Sequence, residues 1–327
     1  MSVSKIPARV GVLLPTREFA VTEREDPTAL LELAQLAESL GYDSVWAGDS
    51  PVARPRFEPL SLLSAVAART ERVQLGTAVL LAALRSAVLL AQQVASLDQL
   101  SRGRLILGLG AGFPIPQTQA EFEAVGVPFK GRIRRLEETV AICRRLWSTQ
   151  TPDGRGVSFS GRYWSFEALS PWPRPYQPAG PPLWLAGAGE QALSRVGRLF
   201  DGWLPYPPTA EQFALGLDVV HQAMTAASRD PSEVTPAVYL TINIDDDAER
   251  KLEHYVQAYY GLPLEGMRYL QGFYAGDAGG CEQWLRGYVE AGATHIVLRF
   301  GTLDDPSPMV QKAAGTLLRG LQAKAAL

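Results

Sequence analysis

The feature that most constrains this chain is a rhythm. Between residues 9 and 299, short apolar runs alternate eight times with stretches patterned for helix. The runs are Arg9–Pro15, Ser44–Gly48, Val73–Ala78, Arg104–Gly110, Leu183–Ala186, Gly202–Pro205, Ala237–Ile244 and Thr294–Arg299. They are too short for helices and lack the alternation of a strand with one wet face. Strands buried on both faces and joined by helical crossovers pair in parallel. Eight such units in 327 residues predict an α/β fold, a closed (β/α)8 TIM barrel forming a single domain over the whole chain. An open doubly wound sheet is the alternative.

Local signals agree with the rhythm. Asp26-Pro27 opens a helix that Gly41 ends, and Thr209 with Gln212 fits a capping box. Residues Ala248 to Tyr274 read as helical. The pattern loosens after the fourth strand. Phe113 to Lys130 reads as a loop and Arg132 to Trp147 as a charged amphipathic helix. Ser148 to Pro181, before the fifth strand, predicts a small β-hairpin too short for a core of its own.

Charge and cysteine content remove several classes of function. Lys and Arg total 31 against 34 Asp and Glu, which leaves no basic footprint for nucleic acid or an anionic membrane. Two distant cysteines, Cys143 and Cys281, make neither a disulfide scaffold nor a zinc site, and no metal-ligand spacing appears. Neither a secretory run nor about 18 uninterrupted apolar residues occurs, so a cytoplasmic location is expected.

A barrel of this kind carries its chemistry at the C-terminal ends of the strands. Those ends read, in order, Thr16, Asp49-Ser50, Thr77-Ala78-Val79, Gly110-Ala111-Gly112-Phe113, Gly187-Ala188-Gly189, Tyr206, Asn243 and Arg299. The stretch Ala186 to Gly189 puts two glycines between a strand and a helix start, where free N–H groups and the helix dipole favour an anion. Gly187 to Ala192 formally matches Gly-x-Gly-x-x-Ala, but no acid ends the next strand, so a dinucleotide site is poorly supported. The glycines of Gly108 to Gly112 admit either a flat ligand or close barrel packing. No histidine sits at a strand tip: His221 and His254 lie in helical stretches and His295 begins strand eight. With no acid–base set and no Gly-x-Ser-x-Gly elbow, a cofactor is the expected source of the chemistry.

Four stretches carry a resemblance: Ala34 to Asp49, Ala65 to Val79, Ala91 to Gly112 and Pro181 to Pro205. Together they resemble the bacterial-luciferase-like superfamily of flavin- and deazaflavin-dependent oxidoreductases. The resemblance implies a barrel binding reduced FMN or coenzyme F420 at its C-terminal mouth. The cofactor phosphate would lie on Ala186, Gly187, Ala188 and Gly189. A non-prolyl cis peptide, matching Ala78–Val79 after Thr77, would stand behind the ring, with Ala111 and Gly112 beside it. It further implies a homodimer, with Leu62, Ala65, Val66, Val88, Gln92 and Ala95 available for its face. Many relatives carry His after the strand-two acid, where this chain has Ser50, and the sugar-phosphate dehydrogenase branch carries Glu where this chain has Phe113. Those departures leave proton transfer to Asp49, Ser50, Tyr206, Arg54, Arg56 or Arg299, and Trp46, Phe113, Trp203 and Arg299 are expected to wall a substrate pocket.

The expected function is a two-component monooxygenase in which reduced FMN, supplied by a separate flavin reductase, is used with oxygen on a small organic substrate. F420-dependent hydride transfer is the alternative, followed by a flavin-binding barrel without turnover and a nicotinamide dehydrogenase using the Gly187 turn.

Overall fold

The computed structural model describes residues 7–148 and 156–322. Strand β1 (Arg9–Leu13) leads into α1 (Thr16–Val21), α2 (Thr28–Leu40), β2 (Ser44–Ala47), α3 (Pro59–Arg69), β3 (Gln74–Thr77), α4 (Ala87–Leu100) and β4 (Leu105–Leu109). An excursion follows, with α5 (Pro116–Ala124), α6 (Arg132–Trp147) and the antiparallel pair β5 (Val157–Ser160) and β6 (Ser165–Leu169). The rhythm resumes with β7 (Leu183–Leu185), α7 (Glu190–Leu199), β8 (Gly202–Trp203), α8 (Ala210–Ala226), β9 (Thr235–Asn243), α9 (Ala248–Tyr260) and α10 (Leu264–Met267). The last elements are β10 (Phe273–Ala275), α11 (Ala278–Glu290), β11 (His295–Phe300) and α12 (Ser307–Ala313), which runs on through a π-helical turn (Ala314–Leu318) into α13 (Arg319–Leu321).

The eight main strands run in the order β1, β2, β3, β4, β7, β8, β9, β11, all parallel, and β11 closes on β1. This is the closed barrel the apolar rhythm predicts. Asp26 Oδ1 accepts both the Thr28 N–H and its hydroxyl ahead of α2, and Gly41 ends that helix at φ 92°. Thr209 accepts the Gln212 N–H at the start of α8, as the capping box requires. Three expectations change. The loop at 113–130 contains α5, started by Pro116 in its first turn. The helical reading of 248–274 resolves into α9, α10 and β10, the last pairing with β9 beside the barrel. A short helix, α1, follows β1 directly.

Two trios of residues build the barrel interior. Trp46 and Trp184 meet across the axis with ring centroids 5.3 Å apart, and each stands edge-on to His295. Room for the indoles comes from glycines on adjacent strands. A Cβ at Gly76 would lie 2.1 Å from the Trp46 ring, one at Gly202 2.3 Å from Trp184, and one at Gly11 2.1 Å from the Ser44 hydroxyl. Trp46 Nε1 donates to Ser44 Oγ at 2.7 Å, and Ser44 Oγ pairs with His295 Nε2 at 2.8 Å. Leu13, Ile106, Leu204 and Val297 fill the remaining lumen.

His295 is thereby locked neutral: burial, assisted by Arg9, pushes its pKa from 6.5 down to about 3. The unfolded chain takes up this proton near pH 6.5 and the folded chain only near pH 3. Stability is therefore full above the unfolded value and falls as pH drops between the two, by up to roughly tenfold in the folding equilibrium per pH unit. Urea unfolding between pH 7 and pH 5 should show this slope, and His295→Gln should reduce it. An unchanged slope in the variant would remove His295 from the account.

Of the residues expected at a dimer face, Ala65 and Val88 are half-buried and Gln92 is exposed. Leu62, Val66 and Ala95 are buried within the chain, so they present nothing outward, whereas Leu89 and Leu100 on α4 are exposed. No helix among the described residues is long and apolar enough to cross a membrane.

Candidate active site

The C-terminal strand ends gather at one mouth. At the tip of β2, the Asp49 side chain is almost fully buried. It accepts Arg85 Nη1 at 2.5 Å, Arg85 Nη2 at 3.2 Å and the Leu81 N–H at 2.9 Å. Arg85 also reaches Glu58 at 3.1 Å. Asp49 thus fixes the loop after β3. Ser50, next to it, donates to Glu121 on α5 at 2.6 Å and accepts the Arg54 N–H at 2.8 Å. Glu121 takes the Val52 and Ala53 N–H groups as well. Both residues proposed as proton carriers at this tip are therefore engaged in holding loops, Asp49 through Arg85 and Leu81 and Ser50 through Glu121 and Arg54. The third candidate, Tyr206, stands at the mouth with its ring centroid 6.0 Å from Phe113. Burial first, then Tyr260, raises its pKa to about 12, with Arg54 opposing, so it is a hydrogen-bond donor at neutral pH.

The loop after β3 holds the Ala78–Val79 peptide in the cis form, at the bond the resemblance singles out. The loop is stitched to β4, with Leu80 N–H on Gly108 O at 2.8 Å and Gly110 N–H on Leu80 O at 2.9 Å. This contact explains the glycines of β4. A Cβ at Gly108 would lie 2.0 Å from the Thr77 carbonyl oxygen, and one at Gly110 2.5 Å from Val79. Close packing is thus a sufficient reason for both, and the result is a flat wall with Ala78 and Val79 above the lumen cluster. Thr77 departs from expectation: its hydroxyl donates to Gly108 O at 2.7 Å and it is fully buried, so it faces β4 and not the mouth. Ala111 packs toward the helical layer, and Gly112, at φ 81°, lies over Thr118 and Phe122.

The turn after β7 is open. Ala186 and Gly187 are half-buried, and Ala188 and Gly189 exposed. Gly187 and Gly189 have φ values of 148° and 85°, and a Cβ at Gly189 would meet nothing within 4 Å. No side chain caps α7, so its first N–H groups are left to an external acceptor.

Two of the four expected pocket walls are elsewhere. Trp46 is sealed in the lumen below the mouth. Trp203 faces outward, stacked on Phe213 of α8 at 5.2 Å, with Nε1 donating to Gly187 O at 3.0 Å. It supports the turn from behind. Phe113 is 52% exposed and borders the mouth. Arg299, at the end of β11, is buried, with Nε donating to Thr241 Oγ1 at 3.1 Å and Nη2 to the Tyr260 hydroxyl at 2.7 Å. Its guanidinium lies 4.6–5.4 Å from the rings of Tyr239, Tyr259 and Tyr260. Burial raises the Tyr239 and Tyr260 hydroxyls, with the Arg299 charge opposing. The tyrosines and the buried Glu18, whose carboxylate accepts Tyr255 at 2.5 Å, were missed from sequence. The adjacent Tyr259-Tyr260 pair at the end of an amphipathic helix was the available signal.

The chain has counterparts among known proteins. The chain is 31% identical over 271 residues to an F420-dependent glucose-6-phosphate dehydrogenase of Kineococcus radiotolerans, covering 76% of this chain and 72% of that one. An F420-dependent secondary alcohol dehydrogenase, solved with an F420-acetone adduct, superposes with a TM-score of 0.81 at 18% identity, over 97% of this chain and all of that one. The oxygenating constituent of 3,6-diketocamphane monooxygenase of Pseudomonas putida, solved with FMN, gives 0.76 at 18% identity, over 98% and 99%. Both share the barrel. Residues 8–295 match the profile of the luciferase-like monooxygenases, from the first strand to the start of the last. A match of that extent makes the chain a member of the luciferase-like monooxygenase family and an oxidoreductase.

Proposed function

We propose that the chain binds a tricyclic flavin-type cofactor across the barrel mouth and, using reduced FMN with oxygen, acts as a monooxygenase on a small organic substrate. The observation that carries this reading is the closed tip of β2. Hydride transfer from an alcohol needs a group to take the hydroxyl proton. Here Asp49 is held by Arg85 and Leu81, and Ser50 by Glu121 and Arg54. Oxygen insertion depends more on excluding water, and the tyrosines, Phe113 and Tyr206 supply apolar surface at the mouth.

The residues present fit the cofactor. The uncapped α7 and the open Gly187-Ala188-Gly189 turn suit its phosphate. The flat wall of Gly108, Gly110 and the Ala78–Val79 bulge suits an extended ring. When bound, the cofactor supplies the redox chemistry. The chain's part is to orient it, to shield the mouth with Phe113 and Tyr206, and to donate a hydrogen bond from the Tyr206 hydroxyl. Reduced cofactor would come from a separate flavin reductase.

A second reading, F420-dependent hydride transfer, is favoured by the names of the curated relatives, including a 5,10-methylenetetrahydromethanopterin reductase of Methanolobus tindarius. An unsaturated acceptor would fit it, since no alcohol proton is then removed. Anaerobic titration with reduced FMN and reduced F420, read by quenching of the seven tryptophans, separates the two. The expected result is saturable quenching at lower concentrations of FMN. Tighter binding of F420 would replace the first reading with the second, and binding of neither would remove both.

A further inference from the structure

Strand β7, which carries the Gly187 turn, lies four strands from β1 in either direction round the barrel. On the far side of the mouth, where β11, β1 and β2 end, four guanidinium groups converge. Arg17 on α1 lies 4.7 Å from the Tyr259 ring, Arg54 5.1 Å from Tyr260, and Arg299 between both tyrosines. Arg56 packs against Gly48, where a Cβ would lie 2.2 Å from its Nη1. The groups are close enough to feel one another. Arg299 opposes the charge on Arg56, while Arg56 and Arg54 oppose that on Arg17.

Among the described residues none of the four guanidinium groups makes a salt bridge with a carboxylate, and Glu18, which lies in the field of Arg56, already accepts the Tyr255 hydroxyl. Glu121 is occupied by Ser50 and backbone N–H groups. The arginines are also incompletely used. Among the described residues, the Arg56 guanidinium donates only through Nε, to Arg54 O at 3.1 Å. Arg299, 2% exposed, donates through Nε and Nη2 and leaves Nη1 uncommitted. The Arg54 guanidinium stacks on Tyr260 and makes no hydrogen bond among the described residues. Arg54 and Arg56 are half-buried, whereas Arg299 is enclosed by Tyr239, Tyr259 and Tyr260. Like charges gathered without an ion-pair partner repel one another, and guanidinium forks match carboxylates and phosphates.

We propose that Arg54, Arg56 and Arg299 form a substrate subsite for a compact oxyanion, the carboxylate or phosphate of an anionic organic substrate. This rests on reading the mouth as the active site and adds the class of its substrate. The Gly187 turn would hold the cofactor's phosphate at one side of the mouth and the arginines the substrate's anion at the other. The reacting part of the substrate would lie between them, over the ring.

The test is calorimetric titration of the purified chain, without cofactor, with benzoate, inorganic phosphate and the neutral benzamide at constant chloride. Saturable binding of at least one anion and none of benzamide is expected, and the tighter anion identifies the group. Arg56→Met should weaken that binding tenfold or more and leave flavin affinity unchanged. Arg299→Lys, which keeps a charge in the tyrosine cage, should weaken it severalfold, and Arg54→Met serves if either variant fails to fold. Anion binding no stronger than chloride, or unaltered in folded variants, would overturn the proposal. So would loss of flavin affinity with anion binding intact, which would assign the arginines to the cofactor. Because the anion titration needs no flavin, a failed cofactor titration leaves its outcome readable.

Discussion

Ala188→Asp is expected to abolish binding of reduced FMN and of F420 alike while the barrel stays folded. The new carboxylate would stand in the open turn between Gly187 and Gly189, beside the uncapped start of α7. Hydrogen bonds to a charged group contribute about 1.5–3 kcal/mol each. Losing one or two and adding a like charge should cost about 3 kcal/mol or more, roughly a hundredfold in affinity. Position 188 is a cleaner test than either neighbour. Gly187 and Gly189 have φ values of 148° and 85°, so a side chain there strains the backbone whatever its charge. Glu190→Gln should shift affinity the other way, because it removes an exposed carboxylate from the first turn of α7. Equal flavin quenching by wild type and Ala188→Asp would remove the phosphate from this turn.

Trp46→Ala is expected to be among the most destabilising single changes in the chain. It empties the space beside Trp184 and His295 and strips Ser44 of the indole donor. Truncations of this kind cost about 3–5 kcal/mol, readable as a fall in the urea midpoint. The glycine framework adds a sharper expectation. Gly76→Ala alone drives a methyl into the Trp46 ring, whose nearest carbon lies 2.1 Å from the ideal Cβ, and overpacking of this kind costs about 1–3 kcal/mol. In a Trp46→Ala background the same methyl enters vacated space, so the two costs should be far from additive. Additive costs would show that Gly76 is not there for the indole.

The barrel was legible because its signal is repeated and double-sided: eight apolar runs with helices between them leave few architectures. What was not legible depends on register. Along a strand the side chains change face at every residue. Trp46 turns into the lumen, Thr77 onto β4 and Trp203 out toward α8. Nothing in a short, uniformly apolar run says which face is which. Helix α1 and strand β10 were hidden by their length, since Thr16–Val21 and Phe273–Ala275 are too brief to show a period. At the site, the turn at Gly187 could be read because its residues are consecutive. The arginine cluster could not, because it assembles residues 17, 54, 56 and 299 from three separate strand ends. Asp49 and Ser50 were placed correctly at the β2 tip, but their partners Arg85 and Glu121 lie 36 and 71 residues away.

The paired indoles on the axis have a kinetic consequence. Trp46 and Trp184, wedged between the glycines of neighbouring strands, stopper the barrel just beneath the cis peptide. With the lumen filled, a reactant bound above the indoles as proposed has no route through the barrel axis. Reactants and products then share the mouth, so arrivals and departures take turns, and a slow-leaving product obstructs the next arrival. Product inhibition that competes with substrate is the steady-state behaviour such an arrangement imposes.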